Sequence, residues 1–247
     1  MTQKPHSYIV CSTPRTGSTF LCSLLKATNL AGKPESYFRS QDVEARVEAW
    51  KIRQTDGSFS FSDFLNCVLR RGRTDNDVFA ARIMWGTMEE LTNNLRSIGM
   101  TGGDREVLSS AFGPTKFVYL KRQDLVAQAI SRLRAEQTNV WHIRGKVDQD
   151  AARLRVWYDQ KAIQYFVEEA KDHNQNWNEW FQRFEIDPLR LIYEDLDDNG
   201  KAEASKVLEF IGVRHPSFPK EVSNVRLADE ISKEWADRFR VESGYSD

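Results

Sequence analysis

The stretch S-T-P-R-T-G-S-T-F-L at 12–21 constrains this chain more than any other, because it joins an apolar run to an amphipathic one through a tight, hydroxyl-rich turn. Ser7-Tyr8-Ile9-Val10-Cys11 before it reads as a strand. Phe20, Leu21, Leu24 and Leu25 after it fall on one face of a helix. A strand, a turn and a helix in that order aim several backbone N–H groups and a helix N-terminus at one point, which suits a phosphate or sulfate. Gly17 lets the backbone approach an anion without a Cβ, Ser18 and Thr19 add hydroxyl donors, and Arg15 adds a fixed positive charge. The plainer alternative is a junction capped by Ser or Thr that binds nothing.

A Walker A loop carries a lysine after its last glycine and a hydroxyl for magnesium. Here Ser18 follows Gly17 and the cation, Arg15, precedes it, so the loop suits a phosphate-like group without a metal. Lys and Arg number 35 against 36 Asp and Glu, a formal charge of −1, which leaves no global field for nucleic acid. Cys11, Cys22 and Cys67 are odd in number and lack metal-ligand spacing, so they read as buried reduced thiols. No charged-then-apolar leader and no run of 18 apolar residues is present, so a cytoplasmic protein without an integral membrane segment is expected.

Further strand-like runs occupy 78–84, 116–120 and 189–193, with helical patterns between them at 41–54 and 62–71, before a turn-rich 99–104. Residues 153–184 hold neither Gly nor Pro and read as a long amphipathic helix, either continuous or broken near His173-Asn174; two more helices are expected at 202–212 and 228–241. Alternating strands and helices predict an α/β chain: a P-loop-type three-layer fold with a central, largely parallel sheet flanked by helices, as a single domain over 1–247.

The third strand ends in Lys121-Arg122-Gln123-Asp124, with Asp124 placed to cap a helix through Gln137 that carries Ser131. In an open α/β sheet ligands lie beyond the carboxyl ends of the strands, so Arg122 belongs on the same edge as the 12–21 loop.

A metal-free Ser/Thr/Gly loop after the first strand, followed by an Arg-to-Ser pair after a later one, resembles the sulfotransferases that use 3′-phosphoadenosine 5′-phosphosulfate. The likeness narrows to the bacterial trehalose sulfotransferases and their lipopolysaccharide-type relatives. It is carried by Y-I-V-C-S-T-P-R-T-G-S-T-F-L at 8–21, A-G-K-P-E-S-Y-F at 31–38, R-I-M-W at 82–85, R-Q-D-L-V-A-Q-A-I-S at 122–131, Q-T-N-V-W at 137–141 and the tail at 226–240. The resemblance implies that Arg15, Thr16, Gly17, Ser18 and Thr19 cradle the 5′-phosphosulfate, and that Arg122 and Ser131, with Arg226 from the tail, hold the 3′-phosphate. It also implies a carbohydrate or glycolipid acceptor, no metal, and a homodimer.

Sulfuryl transfer to an alcohol needs a base for the hydroxyl and positive charge for the sulfuryl oxygens and the leaving phosphate. Arg15 supplies the charge electrostatically, since a guanidinium does not readily give up a proton. Related enzymes place a glutamate two residues after the proline at 34, where this chain has Ser36; its nearest carboxylate is Glu35. A one-residue shift in an extended segment turns a side chain to the opposite face, so the base is Glu35 on a twisted backbone or another group, His142 among them. Glu35 as an ordinary surface carboxylate weighs equally. Lys33 beside it would suit an acidic or phosphorylated sugar, while Arg82 and Trp141 are candidates for donor or acceptor contact. The competing readings are a nucleotide-binding protein of this fold without transfer activity and a P-loop small-molecule kinase; the missing lysine after Gly17 weighs against the second.

Overall fold

The computed structural model describes residues 7–141, 156–214, 218 and 230–245. Strands β1 (Ser7–Ser12), β2 (Phe79–Met84), β3 (Thr115–Lys121) and β4 (Leu189–Ile192) form one sheet of order β2-β1-β3-β4, with every neighbouring pair parallel. All four apolar runs in the sequence are strands.

β1 is buried along its whole length, and its side chains alternate between two cores. Ile9 and Cys11 join Phe79, Ala81, Ile83, Phe117 and Tyr119 on one face. Tyr8 and Val10 join Ala80, Val118, Leu120 and Leu191 on the other. A sheet apolar on both faces needs helices on both. On the second face lie α1 (Ser18–Ala27), α8 (Tyr193–Asp198) and α9 (Gly200–Phe210). Against the first pack α2 (Ser40–Trp50), α3 (Phe61–Gly72), α4 (Trp85–Ser97), α5 (Asp104–Phe112) and the C-terminal half of α7 (Gln160–Arg183). A third cluster joins α6 (Leu125–Thr138), the N-terminal half of α7 and α10 (Glu230–Ser243) through Val126, Ile130, Ile163, Val167, Trp235 and Phe239. The fold is thus the expected three-layer α/β arrangement.

Two boundaries differ most from expectation. α7 begins at Gln160 rather than in the 153 region, because the Asp159 carboxylate accepts from the Ala162 N–H at 3.0 Å and caps the helix there; 156–159 are not helical, and 151–155 lie outside the described residues. From Gln160 the helix runs unbroken through His173-Asn174. α2 stops at Trp50 instead of continuing to 54, because Lys51 turns left-handed at φ 54°. Among the described residues no helix is long and apolar enough to cross a membrane.

The register sets the functional edge. Ser12 at the end of β1 lies level with Met84 of β2 and Leu120 of β3, and Lys121 of β3 lies level with Ile192 of β4. β2 and β3 flank β1 on opposite sides, so the crevice beyond β1 is the topological switch point of the sheet.

On its other side β2 is covered by the segment 32–38. Arg82 donates its backbone N–H to the Glu35 carbonyl at 2.9 Å. The segment enters through Gly32, at φ 65°, where a Cβ would stand 2.8 Å from the Ala80 nitrogen and 2.9 Å from the Val78 oxygen. Both atoms are backbone and cannot step aside. Gly32→Ala is therefore expected to destabilise the protein by about 2 kcal/mol or more. Urea unfolding should show a lower midpoint at an unchanged slope; an unchanged midpoint would mean that the segment is not seated on β2.

Candidate functional site

The loop after β1 is tied down from behind. The Trp177 indole donates to the Ser12 carbonyl at 3.1 Å, and the buried Gln128 amide donates to the Thr13 hydroxyl at 2.8 Å and the Pro14 carbonyl at 2.6 Å. Thr16 closes the turn by donating its hydroxyl to the Thr13 carbonyl at 3.0 Å. With these groups engaged inward, Arg15 takes a left-handed φ of 67° and Gly17 one of 74°. That conformation costs a non-glycine residue roughly 1–2 kcal/mol, so at Arg15 the surrounding bonds must hold it. At Gly17 the cause is contact as well: a Cβ would lie 2.6 Å from Cδ2 of Tyr193. Gly17 is the N-cap of α1 and no side chain caps that helix. α6 differs, because Asp124 caps it and the Glu194 carboxylate accepts from the Gln123 and Asp124 N–H groups at 3.2 and 3.3 Å. Of these two helix N-termini beside the crevice, α1 is the one that no side chain caps.

On the β3 side, residues expected in two separate sites, Arg15 and Ser131, are hydrogen-bonded to each other. Arg15 donates from Nε to the Ser131 hydroxyl at 2.9 Å and from its terminal nitrogen to the Trp141 carbonyl. Arg122 leaves the end of β3 and lies over the Tyr193 ring, 4.4 Å from its centroid, as expected for the residues that follow the paired Lys121 and Ile192. Burial, and then the neighbouring Arg122 charge, bring the Arg15 guanidinium down to about 10 from its ordinary value above 12. The Arg122 Nε is itself buried with no hydrogen-bond partner among the described residues. Two close guanidiniums, one with an orphaned N–H, favour an anion between them.

On the β2 side Arg82 donates from Nε to the Ser36 hydroxyl at 2.8 Å, and from its terminal nitrogen to the Thr19 hydroxyl at 2.6 Å and to Ser18 at 3.5 Å. Ser36 thus faces the loop. Glu35, one residue earlier, directs its carboxylate to Lys26 at 3.0 Å and Arg46 at 3.8 Å.

Comparison with known proteins decides the family. A family model described as Stf0 sulphotransferase matches residues 7–242. The chain belongs to the Stf0 sulfotransferases. The trehalose 2-sulfotransferase of Mycobacterium tuberculosis is 30% identical, over 98% of this chain and 97% of its own length. That of Mycolicibacterium smegmatis is 28% identical, over 97% and 96%. Among solved structures, the sulfotransferase domain from the Synechococcus PCC 7002 olefin synthase is similar with a TM-score of 0.49 and 14% identity, covering 99% of this chain and 96% of that one.

In this Stf0 sulfotransferase the structure brings Arg15, Ser131 and Arg122 together, with Thr16, Gly17, Ser18 and Thr19 forming the turn and first helical residues beside them. It does not bring the Glu35 carboxylate to Arg82 or Ser36. Arg226 and His142 lie outside the described residues. Gln128 and Tyr193 were not singled out in the sequence, and Arg82 and Thr19 were named there without their shared contact or Ser36, although Gln128 stands at i and Ser131 at i+3 of one helix, a spacing that shares a face.

Gln128→Leu removes the donor from the Pro14 carbonyl and the Thr13 hydroxyl, and is expected to cost about 1–3 kcal/mol in stability. Gln128→Glu should cost at least as much, because a carboxylate cannot donate to a carbonyl. Urea titration of both variants checks this; wild-type stability for either would show that the loop is not held from α6.

Proposed function

We propose that this chain moves a sulfuryl group from 3′-phosphoadenosine 5′-phosphosulfate to a hydroxyl of a carbohydrate. The observation that carries the reading is the Arg15–Ser131 hydrogen bond beside the orphaned Arg122 Nε, at the uncapped N-terminus of α1. Two neighbouring arginines and an uncapped helix answer a ligand with more than one anionic centre, which a donor phosphorylated at both ends supplies. The trehalose 2-sulfotransferases among the relatives support a sugar acceptor.

In the transfer the sulfur–oxygen bond to the 5′-phosphate breaks, a bond from sulfur to the acceptor oxygen forms, and the acceptor proton passes to a base. Arg15 and the first N–H groups of α1 stabilise the charge that grows on the leaving phosphate. Arg122 and Ser131 anchor the 3′-phosphate. Because Ser131 also accepts from Arg15, the hydroxyl links the anchoring end of the donor to the residue at the reacting end.

Glu35 is the carboxylate that the sequence offers as base. Its pairing with Lys26 and Arg46 favours a different role, holding the 32–38 segment against α1 and α2. Sulfuryl transfer from the phosphosulfate donor to trehalose, followed by mass spectrometry of the sugar, tests both assignments. Arg15→Gln should lower kcat by about 100-fold or more, and Glu35→Gln should stay within about threefold of wild type, since an ordinary positioning change falls well short of the loss of a general base, about 100-fold. Full activity in Arg15→Gln would remove that residue from the chemistry. A loss of about 100-fold or more in Glu35→Gln would restore Glu35 as the base.

A further inference from the structure

On the sulfuryl-transfer reading above, we propose that His173 is a positioning residue for the donor loop, and that it acts through one buried water shared with Gln128 and Arg132. Where α6 and α7 meet the loop, Pro14, Gln128, Arg132, Phe166, Glu169 and His173 line a cavity of about 10 Å³, at the lower limit of what holds one water. Gln128 Oε1, Arg132 Nε and His173 Nδ1 are all buried without a hydrogen-bond partner among the described residues. Three such atoms on residues of one small cavity are what a single water can satisfy.

Gln128 sets the polarity. Its amide nitrogen donates to the Thr13 hydroxyl and the Pro14 carbonyl, which uses both hydrogens and leaves Oε1 as an acceptor. Turning the amide over would set that oxygen against the Pro14 carbonyl. Arg132 is held on its other sides: a terminal nitrogen pairs with the Glu169 carboxylate, and the guanidinium lies over the Phe166 ring, 4.8 Å from its centroid. Its Nε is 3.5 Å from the Glu136 carboxylate and makes no hydrogen bond there. Burial holds the His173 imidazole below its ordinary value, aided by the Arg132 charge and opposed by Glu169 and Asp172. The neutral ring can carry its proton on Nε2 and keep Nδ1 as an acceptor. A water that donates to Gln128 Oε1 and His173 Nδ1, and accepts from Arg132 Nε–H, makes three bonds, the usual number for a buried one.

The link to the donor runs through the turn. The Gln128 amide holds a loop in which Arg15 is strained at a left-handed φ of 67°. A donor that binds only the formed turn loses affinity in proportion to the fraction of molecules in which the turn is open. An amide whose oxygen is left unsatisfied gives up its orientation more readily. An imidazole on α7 is thereby coupled to a ligand that it does not touch.

The test measures calorimetric binding of 3′-phosphoadenosine 5′-phosphate to the wild type, His173→Leu, His173→Asn, Gln128→Leu and the double variant of His173→Leu with Gln128→Leu. His173→Leu should weaken binding by about fivefold or more, the worth of one buried hydrogen bond, although leucine is the better helix former within α7. The asparagine oxygen of His173→Asn stands about where Nδ1 does, so that variant should stay within about twofold of wild type despite its lower helix propensity. With Gln128→Leu already present, His173→Leu should cause no further loss. Unchanged affinity in His173→Leu, equal losses in the leucine and asparagine variants, or additive losses in the double variant would overturn the proposal. If Gln128→Leu does not fold, a crystal structure of the wild type decides: a water within about 3.2 Å of both Gln128 Oε1 and His173 Nδ1 is expected, and direct contact between those groups or an unoccupied cavity would overturn the proposal. A wild type that does not bind 3′-phosphoadenosine 5′-phosphate would overturn the donor reading instead, and the crystal structure would still decide the water.

Discussion

The site depends on a backbone turn whose Ser12 and Pro14 carbonyls and Thr13 hydroxyl are engaged by the core. Trp177 reaches the last carbonyl of β1 from α7, while Gln128 reaches Thr13 and Pro14 from α6, so the chain cannot relax out of the turn without leaving buried polar groups unpaired. Only because these bonds hold does Arg15 stay in a left-handed conformation that a free arginine would avoid. Tyr193 closes the other side by filling the place where any side chain at position 17 would have to go. Three elements distant in sequence thus shape the turn that leads into α1.

The same register that levels the strand ends distributes the charge. Arg122 and Tyr193 stack because β3 and β4 pair up to Lys121 and Ile192. Arg82 lies on the opposite side because β2 pairs with the other edge of β1. The loop therefore has a guanidinium on each flank as well as Arg15 within it. Charge is concentrated here although the whole chain is nearly neutral, at −1. Burial first, and the neighbouring Arg122 charge second, push the Arg15 guanidinium down, and an anion beside the pair would offset both.

Much of the fold was readable from the chain because it rests on apolar periodicity. The four strands are short buried runs, and the opening loop is bounded by one of them and by an amphipathic helix. The start of the helix that carries Ser131 was readable because Asp124 caps it. Gln128 was not, because a buried glutamine among apolar neighbours has no periodic signature; its role appears only when α6 is laid against the loop. Arg82, Ser36 and Thr19 are separated by up to 63 positions, and only the parallel crossover brings them together. The 153–184 stretch read as helical throughout because it holds neither Gly nor Pro, whereas the boundary comes from a side chain, Asp159, that competes for the backbone. α2 likewise ends at a lysine, with no glycine to announce it.

The account's central claim is that Arg15, Ser131 and Arg122 form one cradle for a nucleotide phosphorylated at its 3′ position. It is tested most directly by thermal unfolding with 3′-phosphoadenosine 5′-phosphate, with AMP, and with ATP plus magnesium. A ligand at 100 times its Kd stabilises by about 2.7 kcal/mol, which moves the midpoint by a few degrees in a chain of this size. The account predicts a shift with the 3′-phosphorylated nucleotide that AMP at the same concentration does not match, and that Ser131→Ala and Arg122→Gln diminish. An equal shift with AMP, or a shift with ATP and magnesium alone, would contradict it.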